Sequence, residues 1–307
     1  MKRERRRGIR IDGWLVIDKP RGMTSTEVVN IVKRLTRARK AGHGGTLDPL
    51  ATGVLPIALG EATKTVQYVM EAPKRYRFTM RFGEARDTDD AEGRIIATSP
   101  KRPANEEIEA LLPRFRGTIL QRPPAFAAVK VGGRRAYELA RQGQPPELEP
   151  RPVRIDEFVL VERPDPDHAV FEVVCGKGAY VRALARDLGE ALGCYAHVSE
   201  LRRLAVGPFD LEMAIPLKAL EGIVAEETLP QVLIPVATAL AGIPAFAATE
   251  PQVLRIRSGR PIRISPALLP EEVREGDTVR VMRGGELVAL ARLEDAVLSP
   301  VRVFHPK

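Results

Sequence analysis

Between Lys74 and Phe82 the chain alternates cleanly, with Tyr76, Phe78, Met80 and Phe82 on one side and Arg75, Arg77, Thr79 and Arg81 on the other. Successive side chains of a strand point to opposite faces, so this period of two predicts a half-buried strand. Two further alternating runs, Pro152 to Arg163 and His168 to Cys175, read as neighbouring strands around a turn at Pro164-Asp165-Pro166-Asp167. Upstream, Trp14-Leu15-Val16-Ile17 is a short apolar run of strand type ending at Asp18-Lys19-Pro20. The period then becomes helical: Thr24 and Glu27 have capping-box spacing, and Val28, Ile31, Val32 and Leu35 follow, predicting a helix to about Thr36. Further helices are read over Glu61 to Met70, Asn105 to Phe115 and Tyr180 to Leu192, the last with Val181, Leu184, Ala185 and Leu188 as its buried stripe. Ala125 to Val131 reads as a strand, and Lys130, Arg134, Arg135 and a helix from Ala136 to Gln142 add a basic surface.

From about Glu250 the texture changes to short apolar runs broken by glycine turns, such as Glu275-Gly276-Asp277 and Gly284-Gly285, the pattern of a small β-barrel. A domain boundary is expected near Ala247, giving a basic tail (1–10), a main domain (11–246) and a C-terminal domain (247–307).

Composition narrows the class of protein. With 44% hydrophobic and 29% charged residues over 307 positions, the chain is of ordinary globular type. No run approaches the ~18 to 20 apolar residues of a membrane span, and the basic N-terminus has no apolar segment behind it. A cytoplasmic protein without membrane attachment is expected. Cys175 and Cys194 fit neither a zinc pair nor a disulfide framework, so both are read as reduced and no metal is expected. The net charge of +8 sits at one end: residues 1–40 hold thirteen Lys or Arg against four acids. Such an imbalance points to a polyanion, and nucleic acid is favoured over an anionic membrane because the basic run has no apolar face. The same run also fits a solvated tail.

The chemistry concentrates in Gly42-His43-Gly44-Gly45-Thr46-Leu47-Asp48-Pro49-Leu50-Ala51-Thr52-Gly53-Val54-Leu55-Pro56, whose four glycines and two prolines exclude a regular helix. Pro49 biases Asp48 toward extended backbone, so a carboxylate is presented beside an imidazole, His43, among residues too small to cover them. Taken alone, these features also suit a structural turn. The acidic run Asp87, Asp89, Asp90 and Glu92 lacks the spacing of a calcium loop.

The Gly42 to Lys64 segment closely resembles the catalytic loop of the tRNA pseudouridine-55 synthases, the TruB family. Asp18 to Ser25, Lys74-Arg75-Tyr76, Asp87 to Gly93, Gly178-Ala179-Tyr180-Val181-Arg182 and His197 to Arg203 resemble its other motifs in the same order. The resemblance implies an α+β pseudouridine synthase fold: a central mixed, largely antiparallel sheet flanked by helices, with a C-terminal PUA-like RNA-binding barrel. It implies that Asp48 is the nucleophile, that Tyr76 lies against the target uracil, and that Arg182 pairs with Asp48. It also implies that Leu201 packs beneath the base, that His43 fills the RNA loop, and that Tyr180, Lys19 and Lys130 serve substrate binding, Lys19 with Pro20 as a support near the site. The implied reaction isomerises uridine 55 in the T-loop of tRNA after base flipping, with no cofactor, no metal, no obligatory protein partner and a monomeric enzyme. The alternatives are a non-catalytic tRNA-binding or RNA-folding protein and a guide-RNA-dependent relative. The trio Asp48, Tyr76 and Arg182 argues against the first, since binding alone needs none of it. The chain's stop at Lys307 argues against the second, which would carry an extended C-terminal region.

Overall fold

The apolar run at Trp14 forms β1 (Gly13–Lys19), which is buried on both faces and therefore shows no polar alternation. Leu15 and Ile17 enter the main core, while Trp14 and Val16 enter a smaller one behind the sheet. The next strands along the chain are β2 (Ala41–His43), β3 (Thr52–Leu59) and β4 (Lys74–Phe82). They belong to a ten-stranded sheet running Ile215–Pro216, β1, β3, Ala196–Val206, β4, His168–Cys175, Arg151–Asp165, Gly117–Gln121, with β2 and Phe209–Asp210 paired at its side. Two of the pairings are parallel, β1 with Ile215–Pro216 and β3 with Ala196–Val206, and the others are antiparallel. The sheet is thus the mixed, largely antiparallel one expected. The computed structural model describes residues 8–144 and 146–305; most of the basic tail lies outside them.

Helix α1 (Ser25–Thr36) begins with the capping box Thr24/Glu27 and ends at Arg37 in the left-handed region (φ 56°). It lays Val28 and Val32 on the main core, which the Val181–Ala191 helix covers with Leu184, Ala185 and Leu188.

Four local expectations are revised. β3 starts at Thr52, four residues inside the glycine-proline stretch; Pro56 is tolerated because it falls between the pairing with Ala196–Val206, at Thr52 and Gly53, and that with β2, at Ile57 to Leu59. Glu61 to Met70 divides into a 3-10 turn, Gly60–Thr65, and helix Val66–Glu71. Asn105 to Phe115 turns from α to 3-10 at Leu112, next to Pro113. Of Ala125 to Val131, only Lys130–Val131 is strand, paired with Arg134–Arg135 across Gly132 and Gly133, both at positive φ.

The C-terminal strands form one five-stranded sheet in the order Ala245–Ala247, Thr278–Arg283, Glu286–Glu294, Val297–Val303, Ile262–Arg263. Its outer strands do not pair, so among the described residues it is a half-barrel and not a closed ring. The Ala245–Ala247 strand lies across the expected boundary and places Phe246 in the half-barrel core. Leu240, Leu287, Leu290 and Phe304 join this unit to Tyr68, and Lys64 donates to the Val303 carbonyl at 2.9 Å. No described helix is long and apolar enough to cross a membrane.

Candidate active site

Asp48 leaves its loop half-open to a pocket of about 270 Å³, and its Oδ2 accepts from Arg182 Nε at 3.0 Å. The arginine is supplied by the first turn of the Val181–Ala191 helix, and its side chain is only 6% exposed. Its other donors reach the Thr88 carbonyl (3.0 Å) and the Phe126 carbonyl (3.1 Å), with Asp90 Oδ2 at 3.6 Å. A guanidinium suits this socket because it presents a planar fork of donors in several directions. One helical turn on, Arg186 donates to Asp89 at 2.9 Å, so the acidic run is held to the helix by two arginines.

Three buried side chains shape the loop that carries Asp48. Ser25 Oγ accepts from the Leu47 amide (2.8 Å) and donates to its carbonyl (3.1 Å). Lys19 is fully buried, and its ammonium donates to the carbonyls of Pro20, Met23 and Pro49. Arg203, 1% exposed, donates to the carbonyls of Val54 (2.8 Å), Thr46 (3.2 Å) and Gly45 (3.0 Å). A loop with little regular structure is thereby given partners for its carbonyls, which burial would otherwise leave unpaired.

Electrostatics follow from this burial. Lys19 is pushed down to about 8 chiefly by desolvation, partly opposed by Asp48. Lys74 is also pushed down to about 8, by desolvation and then by Arg203. Burial holds Tyr76 above the usual phenol range, so at neutral pH it is the neutral phenol. His43 lies below the usual histidine range through burial, with Arg203 adding to the effect, so its imidazole is neutral at pH 7.

Tyr76, Tyr180, Leu201 and Arg182 line the same pocket as Asp48. Tyr180 is clamped by Gln121, which accepts from its amide and donates to its carbonyl. His43 instead lines an adjoining cleft of about 520 Å³ with Pro49, Tyr137 and Arg141, which shares Thr46, Leu47, Asp48, Ala128 and Arg182 with the first. Its Nδ1 is buried without a partner among the described residues. Lys19 is fully buried with its ammonium bonded to three carbonyls, the geometry of a support for the loop, and it is not among the residues that line the Asp48 pocket. The side chain of Lys130 lies outside the described residues; its backbone forms the short hairpin strand. Sequence reasoning singled out Asp90 only as part of the acidic run and gave no role to Lys74 or Arg203. The signal was strand parity: Lys74 is two residues from Tyr76, and Arg203 two from Leu201, so each shares its neighbour's face. Among the described residues no cluster of His, Cys, Asp or Glu is arranged to hold a metal.

The glycines of the loop make room for Arg203. Gly53 has φ +99°, and a Cβ there would meet the Arg203 carbonyl oxygen at 2.2 Å. Replacing Gly53 with alanine should cost about 3 kcal/mol through strain and crowding. A calorimetric melt should show a midpoint lowered by about 6 °C, and an unchanged midpoint would refute the crowding.

Comparison with known proteins gives concordant matches. Residues 33–181 match the family described as TruB family pseudouridylate synthase (N terminal domain), and residues 182–241 match the tRNA pseudouridylate synthase B C-terminal domain. A tRNA pseudouridine synthase B of Gluconacetobacter diazotrophicus is 55% identical over 307 residues, covering 98% of this chain and 99% of the relative. One of Ruegeria pomeroyi is 50% identical over 300 residues, covering 98% of both. Among solved structures, a chain of a Cbf5-Nop10-Gar1 complex superposes with a TM-score of 0.75 at 29% identity, covering 96% of this chain and 85% of that one.

Proposed function

We propose, since this chain belongs to the TruB family of pseudouridylate synthases, that its pocket receives uridine 55 of the tRNA T-loop and isomerises it to pseudouridine with Asp48 as nucleophile. The observation that carries the reading is the carboxylate of Asp48, open to the pocket and oriented by a buried arginine. Binding alone gives no reason to hold an arginine and a carboxylate in this way at the wall of an aromatic pocket. The reaction needs no outside reactant. The bond from C1′ to N1 breaks, the ring turns, C5 bonds to C1′, the C5 proton leaves and N1 takes up a proton.

A stacked base cannot reach Asp48, so the uridine is flipped out at a cost of a few kcal/mol. Stacking on Tyr76 offsets about 1 to 3 kcal/mol of this, and Leu201 gives the ring an apolar floor. His43 occupies the space the base vacates, a role supported by its position in the adjoining cleft and by an Nδ1 without a partner among the described residues. The C-terminal half-barrel acts as a PUA-like RNA-binding module, and the enzyme works as a monomer in the cytoplasm without a guide RNA or protein partner.

The test is conversion of an unmodified tRNA transcript, digested to nucleosides and separated by retention, because the isomers have equal mass. One pseudouridine per transcript, absent when position 55 is cytidine, supports the reading. Binding without conversion would replace it with a non-catalytic RNA-binding role.

A further inference from the structure

The floor of the Asp48 pocket holds more positive charge than the Asp48–Arg182 pair uses. Lys74 and Arg203 both line it and are 8% and 1% exposed. Arg203 lies directly opposite Tyr76 in the pairing of β4 with the Ala196–Val206 strand, as Leu201 lies opposite Phe78. Strand parity adds Lys74, so Lys74, Tyr76, Leu201 and Arg203 share one face of the sheet. Among the described residues neither cation has an ion-pair partner: Lys74 donates to the Met70 carbonyl at 2.5 Å, and Arg203 to the three loop carbonyls. Carbonyls satisfy the donors but leave the charge. The pocket's carboxylate, Asp48, already belongs to Arg182.

Two buried cations without counter-ions are costly to keep unless something anionic arrives. The isomerisation creates such an anion within the base itself. When C1′–N1 breaks, the bonding pair stays with the uracil and spreads over N1, O2 and O4; when C5 has bonded to C1′ and lost its proton, N1 is protonated and the charge is gone. The phosphates carry their charge throughout and stay with the backbone. The cation suited to them is Lys177, whose side chain is 62% exposed beside Glu71.

We propose that Lys74, backed by Arg203, stabilises the uracil as an anion while its glycosidic bond is broken. The inference rests on the pseudouridine-forming reading above. Preorganised charge in a site that excludes water acts where charge develops, at no cost of reorganisation. Burial leaves Lys74 near 8, with Arg203 and Lys177 lowering it and Cys175 and Glu71 raising it, so it remains a cation at neutral pH. The wild-type rate should therefore fall above about pH 8, and a Lys74→Arg enzyme, whose charge persists, should not share that fall.

Single-turnover rates decide the matter on T-arm RNA carrying uridine or 5-fluorouridine at position 55. Loss of the parent nucleoside is followed, because fluorine leaves no C5 proton to release. Fluorine already stabilises negative charge on the ring, so the substituted base needs less help to leave. Lys74→Met and Lys74→Gln should slow uridine about 30-fold with RNA affinity changed less than about threefold, and the loss on fluorouridine should be about fivefold smaller. Lys74→Arg should recover most of the rate. Equal losses on both RNAs, a loss confined to RNA affinity, or full activity of the neutral variants would overturn the proposal. Should the neutral variants not fold, a Lys74→Arg profile that falls with the wild type above pH 8 would overturn it too. If the wild type converts neither RNA, the fault lies with the functional reading itself.

Discussion

Replacing Asp48 with asparagine should leave a folded protein that binds tRNA and forms no measurable pseudouridine, a loss of at least about 10⁴-fold, or ~5.5 kcal/mol in the barrier. The amide keeps the size of the carboxylate and one oxygen facing Arg182 but lacks a nucleophile's charge. Stability should barely change, because the Asp48 side chain is 39% exposed and the loop around it is fixed by Ser25, Lys19 and Arg203, none of which bonds the carboxylate. Rapid-quench conversion of saturating tRNA, beside filter binding and a thermal melt of both proteins, separates these effects. Residual turnover above about 1% of wild type would remove Asp48 from the nucleophile's role.

Replacing Arg182 with methionine should damage both activity and fold. Arg182 lies between Asp48 and Asp90, whose side chain is 5% exposed, and it also satisfies the carbonyls of Thr88 and Phe126. Without it the buried Asp90 carboxylate loses its opposite charge, keeping the Thr88 hydroxyl and the Glu92 amide as donors, and two carbonyls lose their partner; breaking such a pair costs about 3 to 5 kcal/mol. The turnover number should fall about 10³-fold as Asp48 loses its orientation, with the melting midpoint lowered by about 10 °C. Lysine at this position should recover part of the stability and little of the rate, since an ammonium lacks the rigid planar fork by which the guanidinium orients Asp48 while holding the Thr88 and Phe126 carbonyls. A variant that loses stability but keeps turnover would make Arg182 a purely structural residue.

Local patterning was the legible part of the fold. The capping box at Thr24, the alternation of Lys74 to Phe82 and the apolar stripe of the Val181–Ala191 helix appear within a residue or so of their expected places. What failed was decided by partners distant in the chain. Pro56 stands in a strand because of where β3 exchanges neighbours, and Ala125 to Ala128 forms no strand despite its strand-like composition, the Phe126 and Ala127 carbonyls accepting instead from Arg182 and from the Tyr137 amide. For the site, resemblance placed Asp48, Tyr76, Arg182, Tyr180 and Leu201 together, and the fold lines one pocket with all five. It gave Lys19 both as a support near the site and among the substrate-binding residues, and only burial shows that this ammonium spends its donors on carbonyls. Arg203 was hidden similarly: its task is defined by carbonyls about 150 residues upstream.

The most direct measurement of the central claim is tritium release from a tRNA transcript labelled at uridine C5, with wild type, Asp48→Asn and a transcript bearing cytidine at position 55 run side by side. Wild type should release one tritium equivalent per tRNA, the variant none, and the cytidine transcript none with either protein. Release by the Asp48→Asn protein at the wild-type rate, or from the cytidine transcript, would contradict the assignment of this pocket and this uridine.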